Sequence, residues 1–157
     1  MDKVLKIGII GCGGIANGKH MPALKTVEGV EMVAFCDIIK ERAEKAAEEF
    51  GTPDAKVYED YKELLKDESI DVIHVCTPNR SHSFITIDSL EAGKHVMCEK
   101  PMAKTYEEAK AMCEAAERTG KKLYPISKYC VRRMRYWRTY CISVLFFSCA
   151  SLLSSAL

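Results

Sequence analysis

Residues 3–16 read Lys3-Val4-Leu5-Lys6-Ile7-Gly8-Ile9-Ile10-Gly11-Cys12-Gly13-Gly14-Ile15-Ala16. Lys3 to Ile10 is a short, β-branched apolar run closed by Gly11, which predicts a buried parallel strand. Gly11 to Ala16 then matches G-x-G-x-x-[G/A] and opens a helix. Gly11 allows a tight turn, Gly13 lets the backbone approach a pyrophosphate, and Ala16 lets the helix pack closely on the strand. The helix N-terminus at Gly14 and Ile15 offers unsatisfied N–H groups and partial positive charge to phosphates. A second apolar run, Met32 to Cys36, ends at Asp37, about 20 residues beyond the loop, where a ribose-binding carboxylate belongs. A carboxylate there accepts both adenosine ribose hydroxyls and repels a 2′-phosphate, which points to NAD, with NADP as the alternative. Read without a ligand, the same residues are a glycine-rich turn with Asp37 as a helix cap.

Outward from this unit, strand and helix signals alternate. Helices are predicted from Ile15 to about Val27 and from Lys40 to Phe50, the second stopped by Gly51. Asp60 to Glu63 reads as a capping box opening a short helix to Lys66, and Thr105 to Glu108 as a second box opening a helix that ends near Gly120. Ser81 or Asn79 is expected to cap a helix running to Ala92. Val72 to Val75, His95 to Cys98 and Leu123 to Ile126 are predicted strands. Five to six strands alternating with helices imply an α/β, doubly wound parallel sheet with helices on both faces.

The chain has 157 residues, 48% apolar and 29% charged, which suits one domain with a real core and excludes two full-sized ones. Its net charge of +1 hides a division: residues 1–117 carry all 22 carboxylates against 15 Lys and Arg, and residues 118–157 carry eight basic groups and no acid. The acidic body excludes a basic nucleic-acid binder. Of the eight cysteines, none forms C-x-x-C and none has a histidine at local metal-ligand spacing. Neither a metal site nor a redox dithiol is expected. The first five read as buried thiols of a reducing compartment, and with no apolar leader at the start the body is expected to be cytoplasmic. His20, His74 and His95 read as structural.

Gly11 to Ala16, Cys36-Asp37, Cys76-Thr77-Pro78-Asn79-Arg80-Ser81-His82 and Glu99-Lys100-Pro101 stand in this order along the chain. The combination resembles the N-terminal half of the Gfo/Idh/MocA oxidoreductases, the family of glucose-fructose oxidoreductase and inositol dehydrogenase. The resemblance covers about residues 3–126 and implies a Rossmann domain. It implies that Thr77, Pro78, Asn79 and His82 contact the cofactor and that Lys100, beside the nicotinamide, both contacts the cofactor and is catalytic, hydrogen-bonding the hydroxyl or carbonyl of a sugar or polyol as hydride moves. Glu99 would orient Lys100 or touch the cofactor, and the Lys100-Pro101 bond would be cis. Complete members carry a second α/β substrate domain, with an Asp and a His acting beside the lysine, and form homo-oligomers through it. After residue 95 this chain holds neither Asp nor His, so that domain is expected to be missing.

Residues 127–157 contain no Gly, Pro, Asp or Glu, yet hold the only Trp and three of the eight Cys. This abrupt change is expected of a truncated or frameshifted product, with 1–126 as the domain and 127–157 as an atypical tail. Thr139 to Leu157 is uncharged and follows Arg132, Arg133, Arg135 and Arg138, so a C-terminal membrane anchor is the rival reading. Three functions remain at this point: the nucleotide-binding half of a sugar or polyol dehydrogenase, a non-catalytic nucleotide-binding module, and a membrane-anchored variant.

Overall fold

The computed structural model describes residues 4–126. The expectations for residues 127–157, the anchor at 139–157 included, lie outside the described residues. Six strands form one parallel sheet: β1 (Leu5–Ile10), β2 (Val30–Cys36), β3 (Lys56–Tyr58), β4 (Val72–Val75), β5 (His95–Cys98) and β6 (Leu123–Pro125), in the order β3-β2-β1-β4-β5-β6. The chain starts in the middle, winds out to β3, then returns past β1 to β4 and winds the other way. A doubly wound sheet of this order is the Rossmann arrangement, and its switch point lies between β1 and β4.

The helices are α1 (Met21–Leu24), α2 (Lys40–Phe50), α3 (Tyr61–Leu65), α4 (His82–Glu91) and α5 (Tyr106–Thr119). Alternating side chains divide the core in two, because successive strand residues face opposite sides of the sheet. Ile7, Ile9, Met32 and Phe35 pack with Ala16, Met21, Ala43 and Ala46 on one face. Ile10, Ala34, Ile73, Val75 and Val96 pack with Leu64, Ile85, Leu90 and Met112 on the other. A bulge in the β1–β2 register, where Ile7 pairs with Met32 and Gly8 with Ala34, keeps both faces apolar.

Several local expectations are corrected. The first helix does not run regularly from Ile15 to Val27; it contains a π-helical stretch, Ala16–His20, before α1. Pro22, just beyond, has no N–H to give and crowds the carbonyl four residues back, which disfavours regular α-helical hydrogen bonding at that turn. β3 is a three-residue edge strand whose Lys-Val-Tyr sequence gives little periodicity to detect. Asp60 caps α3 through the Lys62 N–H, but Glu63 pairs with Lys66 and leaves the box half-made. Thr105 caps α5 through the Glu108 N–H, and the Glu108 carboxylate accepts from Lys104 N–H, one residue before the box position. Ser81 opens α4 without capping it, its hydroxyl donating to Thr77 Oγ1 and Pro78 O.

Cys12, Cys36, Cys76 and Cys98 are buried free thiols and Cys113 is half-buried. No helix among the described residues is long and apolar enough to cross a membrane.

Candidate functional site

Two loops leave the C-terminal ends of β1 and β4 side by side at the switch point, where open α/β sheets bind ligands. The first is Gly11 to Ile15. Gly11 has φ +94°, and a Cβ there would lie 2.8 Å from the Cys76 carbonyl carbon and 2.9 Å from Thr77 N. Only glycine satisfies both the left-handed backbone and the approach to the β4 loop. At Gly13 and Gly14 a Cβ would meet nothing within 4 Å. These glycines leave space on the outer side of the loop, which is the room a pyrophosphate needs against bare backbone. Gly14 and Ile15 are exposed, whereas Ala16 is wholly buried on the sheet. The Asn17 side-chain amide, which the sequence reading passed over, donates to Cys12 O at 2.6 Å and Gly13 O at 3.1 Å and ties the loop to its helix.

Asp37 leaves β2 directly beside this loop. Its Oδ2 accepts from Cys12 N–H and its Oδ1 from Ile39 N–H, each at 2.9 Å. The carboxylate is thus held rigidly by backbone, and each oxygen keeps a further lone pair for a ribose hydroxyl. Burial and the nearby Asp37 charge push the Cys12 and Cys36 thiols up to about 12, so both remain protonated and unreactive near neutral pH.

The β4 loop carries Thr77, Pro78 and Asn79; the last two are exposed beside the glycine loop. His82 takes a different place from the one expected. It is 1% exposed, with Nδ1 2.7 Å from Pro101 O and Nε2 2.7 Å from Thr77 O. Both nitrogens face carbonyls, so the buried ring bridges the β4 loop and the loop after β5, and neither ring nitrogen is left for a cofactor.

Beyond β5, Glu99 is buried and Lys100 exposed, and the Lys100-Pro101 peptide is cis. Glu99 Oε2 accepts from Lys100 N–H at 2.9 Å and lies 3.9 Å from Lys100 Nζ. Its Oε1 lies 2.7 Å from Nε2 of His20. His20 was expected to be structural; the π-helical stretch instead delivers it to the Glu99-Lys100 corner. His74 and Cys76 lie beside His20. No local spacing reveals this grouping, because 79 residues separate His20 from Glu99.

Comparison with known proteins agrees with the geometry. Residues 5–126 match the Gfo/Idh/MocA sequence model, described as an oxidoreductase family with an NAD-binding Rossmann fold. The chain is 43% identical over 119 residues to a D-glucoside 3-dehydrogenase of Escherichia coli K12, covering 76% of this chain and 33% of that protein. It is 37% identical over 122 residues to an inositol 2-dehydrogenase of Salmonella paratyphi B, covering 78% and 36%. Among solved structures, the WlbA dehydrogenase of Chromobacterium violaceum with NADH and UDP-GlcNAcA superposes with a TM-score of 0.74 at 33% identity, covering 80% of this chain and 36% of that one. A 3-ketoreductase from Actinomadura kijaniata with NADP gives 0.72 at 30% identity, covering 77% and 38%. The chain spans about a third of the length of the curated relatives it matches.

Proposed function

The chain belongs to the Gfo/Idh/MocA oxidoreductase family, and from that membership we propose that it is the nucleotide-binding domain of an NAD-dependent dehydrogenase acting at a carbinol carbon of a sugar or polyol. The observation that carries this reading is the pairing of an open glycine loop with a buried, backbone-anchored Asp37 at the switch point. The pyrophosphate would lie on the N–H groups of Gly13, Gly14 and Ile15. Asp37 would accept the adenosine ribose hydroxyls and disfavour a 2′-phosphate. Thr77, Pro78 and Asn79 would line the path toward the nicotinamide. When bound, the nicotinamide ring supplies a hydride acceptor or donor.

The remaining chemistry belongs to the protein. Lys100 is the exposed cation at the end of β5, and its ammonium would donate to the substrate oxygen and stabilise negative charge developing there. As the neutral amine it would take the hydroxyl proton during oxidation. Glu99 sets the lysine's position through the backbone N–H and the 3.9 Å contact to Nζ. His82 holds the loops of Thr77 and Pro101 together and acts as a positioning residue. Small sugars or polyols are the proposed partners, in a reducing, cytoplasmic setting that suits the five free thiols among the described residues. Nucleic acid is not a partner of this acidic body, and homo-oligomers are proposed for complete relatives.

The test begins with binding. NADH titrated into the purified chain, followed by its fluorescence, should saturate and should be weakened by Asp37→Ala. A panel of sugars and polyols with NAD then separates a catalytic protein, which reduces the cofactor, from a module that only binds it. Absence of NADH binding by the folded chain would refute the proposal.

A further inference from the structure

His74 in β4 and Cys76, just beyond its end, are two residues apart, the spacing that puts side chains on one face of the sheet, and the π-helical stretch brings His20 beside them. The ligand atoms of these three side chains lie within 4.8 Å of one another. The His20 and His74 rings meet edge to face with centroids 4.7 Å apart. His74 is 1% exposed, and neither of its ring nitrogens has a hydrogen-bond partner. Buried polar groups are nearly always paired, so an imidazole with two orphaned nitrogens facing a thiol and a second imidazole calls for a ligand.

We propose that His20, His74 and Cys76 form a binding site for one borderline divalent cation of the zinc class. Two imidazoles and one sulfur are the donor set such an ion prefers. His74 is buried with neither ring nitrogen engaged in a hydrogen bond, so the neutral imidazole has a lone pair free for coordination. Cys76 is a buried free thiol. Binding therefore exchanges the Cys76 S–H proton for the metal, with the proton released to solvent. Glu99, 2.7 Å from His20 Nε2, is the carboxylate that would orient a ligating imidazole, a pairing usual around protein-bound metals. The thiolate and this carboxylate together balance the charge of the ion.

Zinc bonds of ~2.0 Å to nitrogen and ~2.3 Å to sulfur place tetrahedral donors about 3.5 Å apart. The widest pair therefore has to close by at most a little over an ångström. His20 is carried on the π-helical stretch, a feature frequent at functional sites. The three residues span 57 positions of sequence, which is why cysteine and histidine spacing alone gave no sign of them. The site stands independently of NAD binding, although a cation here would also fix Glu99 and so the corner that carries Lys100.

The purified chain, stripped with a chelator, is titrated with Zn²⁺ and, as a spectroscopic substitute, with Co²⁺. The expected result is one retained zinc per chain and a thiolate-to-cobalt charge-transfer band with tetrahedral visible absorption. Cys76→Ser should abolish the charge-transfer band. His74→Phe should weaken zinc binding by at least about tenfold, since even residues behind the ligands change affinity that much. Circular dichroism checks that each variant is folded. No retained zinc in the parent chain, or an unchanged band and affinity in both folded variants, would overturn the proposal. Should either variant fail to fold, X-ray absorption of the zinc-loaded parent decides the matter: one sulfur and two imidazoles support the site, whereas a shell without sulfur or with several contradicts it.

Discussion

The glycine loop after β1 and the Glu99-Lys100 corner after β5 face the same crevice but are built on opposite principles. The loop works through what is missing: Gly11 admits the β4 backbone, and Gly13 and Gly14 leave space. Its side-chain partners, Asn17 and Asp37, lie within 25 residues of Cys12. The corner works through side chains drawn from far apart, with His20 and His82 reaching Glu99 and Pro101 across 79 and 19 residues. A binding loop can be specified locally by spacing, whereas a reactive corner has to be assembled by the fold.

That contrast is most exposed to test at Lys100. In a chimera in which this domain replaces its counterpart in the E. coli D-glucoside 3-dehydrogenase, Lys100→Ala should lower kcat by about 10²–10⁴-fold, the range for a lost proton-transfer group. NADH affinity should stay within about twofold, because the pyrophosphate and the adenosine ribose are assigned to the Gly11–Ile15 loop and Asp37. Retained kcat would remove chemistry from the corner. Gly11→Ala comes next, with an expected loss of about 2–4 kcal/mol in urea unfolding, since a left-handed φ and a backbone clash combine.

Asp37→Ala should weaken NADH binding by about 1.5–3 kcal/mol, the worth of hydrogen bonds to a charged group, and narrow the preference over NADPH in parallel titrations. Gly13→Ala sharpens the comparison with Gly11. Stability should change by less than about 0.5 kcal/mol because the methyl meets open space, while NADH affinity falls as the methyl occupies the phosphate side. Equal destabilisation at both glycines would erase the distinction between a structural and a binding glycine.

The smallest effect lies away from both regions. Hydrogen bonds from Lys56 and Ser69 hold Asp67 down at about 2, below the usual carboxylate value. A depressed folded pKa adds stability above the unfolded value, and that stability is lost as pH falls from about 4 to about 2. Asp67→Asn should therefore lower the melting temperature by about 2–4 °C at neutral pH and by progressively less as pH falls towards 2. The substitution should leave NADH binding at neutral pH unchanged.

The sheet was legible because apolar runs, glycine stops and acidic residues at strand ends are local signals. Lys40–Phe50 and Tyr106–Thr119 lie where the pattern puts them, and Gly120 closes its helix in the left-handed conformation. The short edge strand Lys56–Tyr58 lacked enough residues to show a period. In the candidate site, the glycines and Asp37 were readable from spacing, and Lys100 only through family resemblance. His82 was assigned to the cofactor side, yet the fold turns both its nitrogens to carbonyls. His20 and His74 looked like packing residues because nothing in a linear reading brings them to Glu99 and Cys76.

Calorimetric titration of NADH into the folded chain tests the central claim, that the Gly11–Ile15 loop and Asp37 form a working dinucleotide cradle. The account predicts saturable binding of one NADH per chain, tighter than NADPH. A flat titration with the fold verified by circular dichroism, or tighter binding of NADPH, would contradict it.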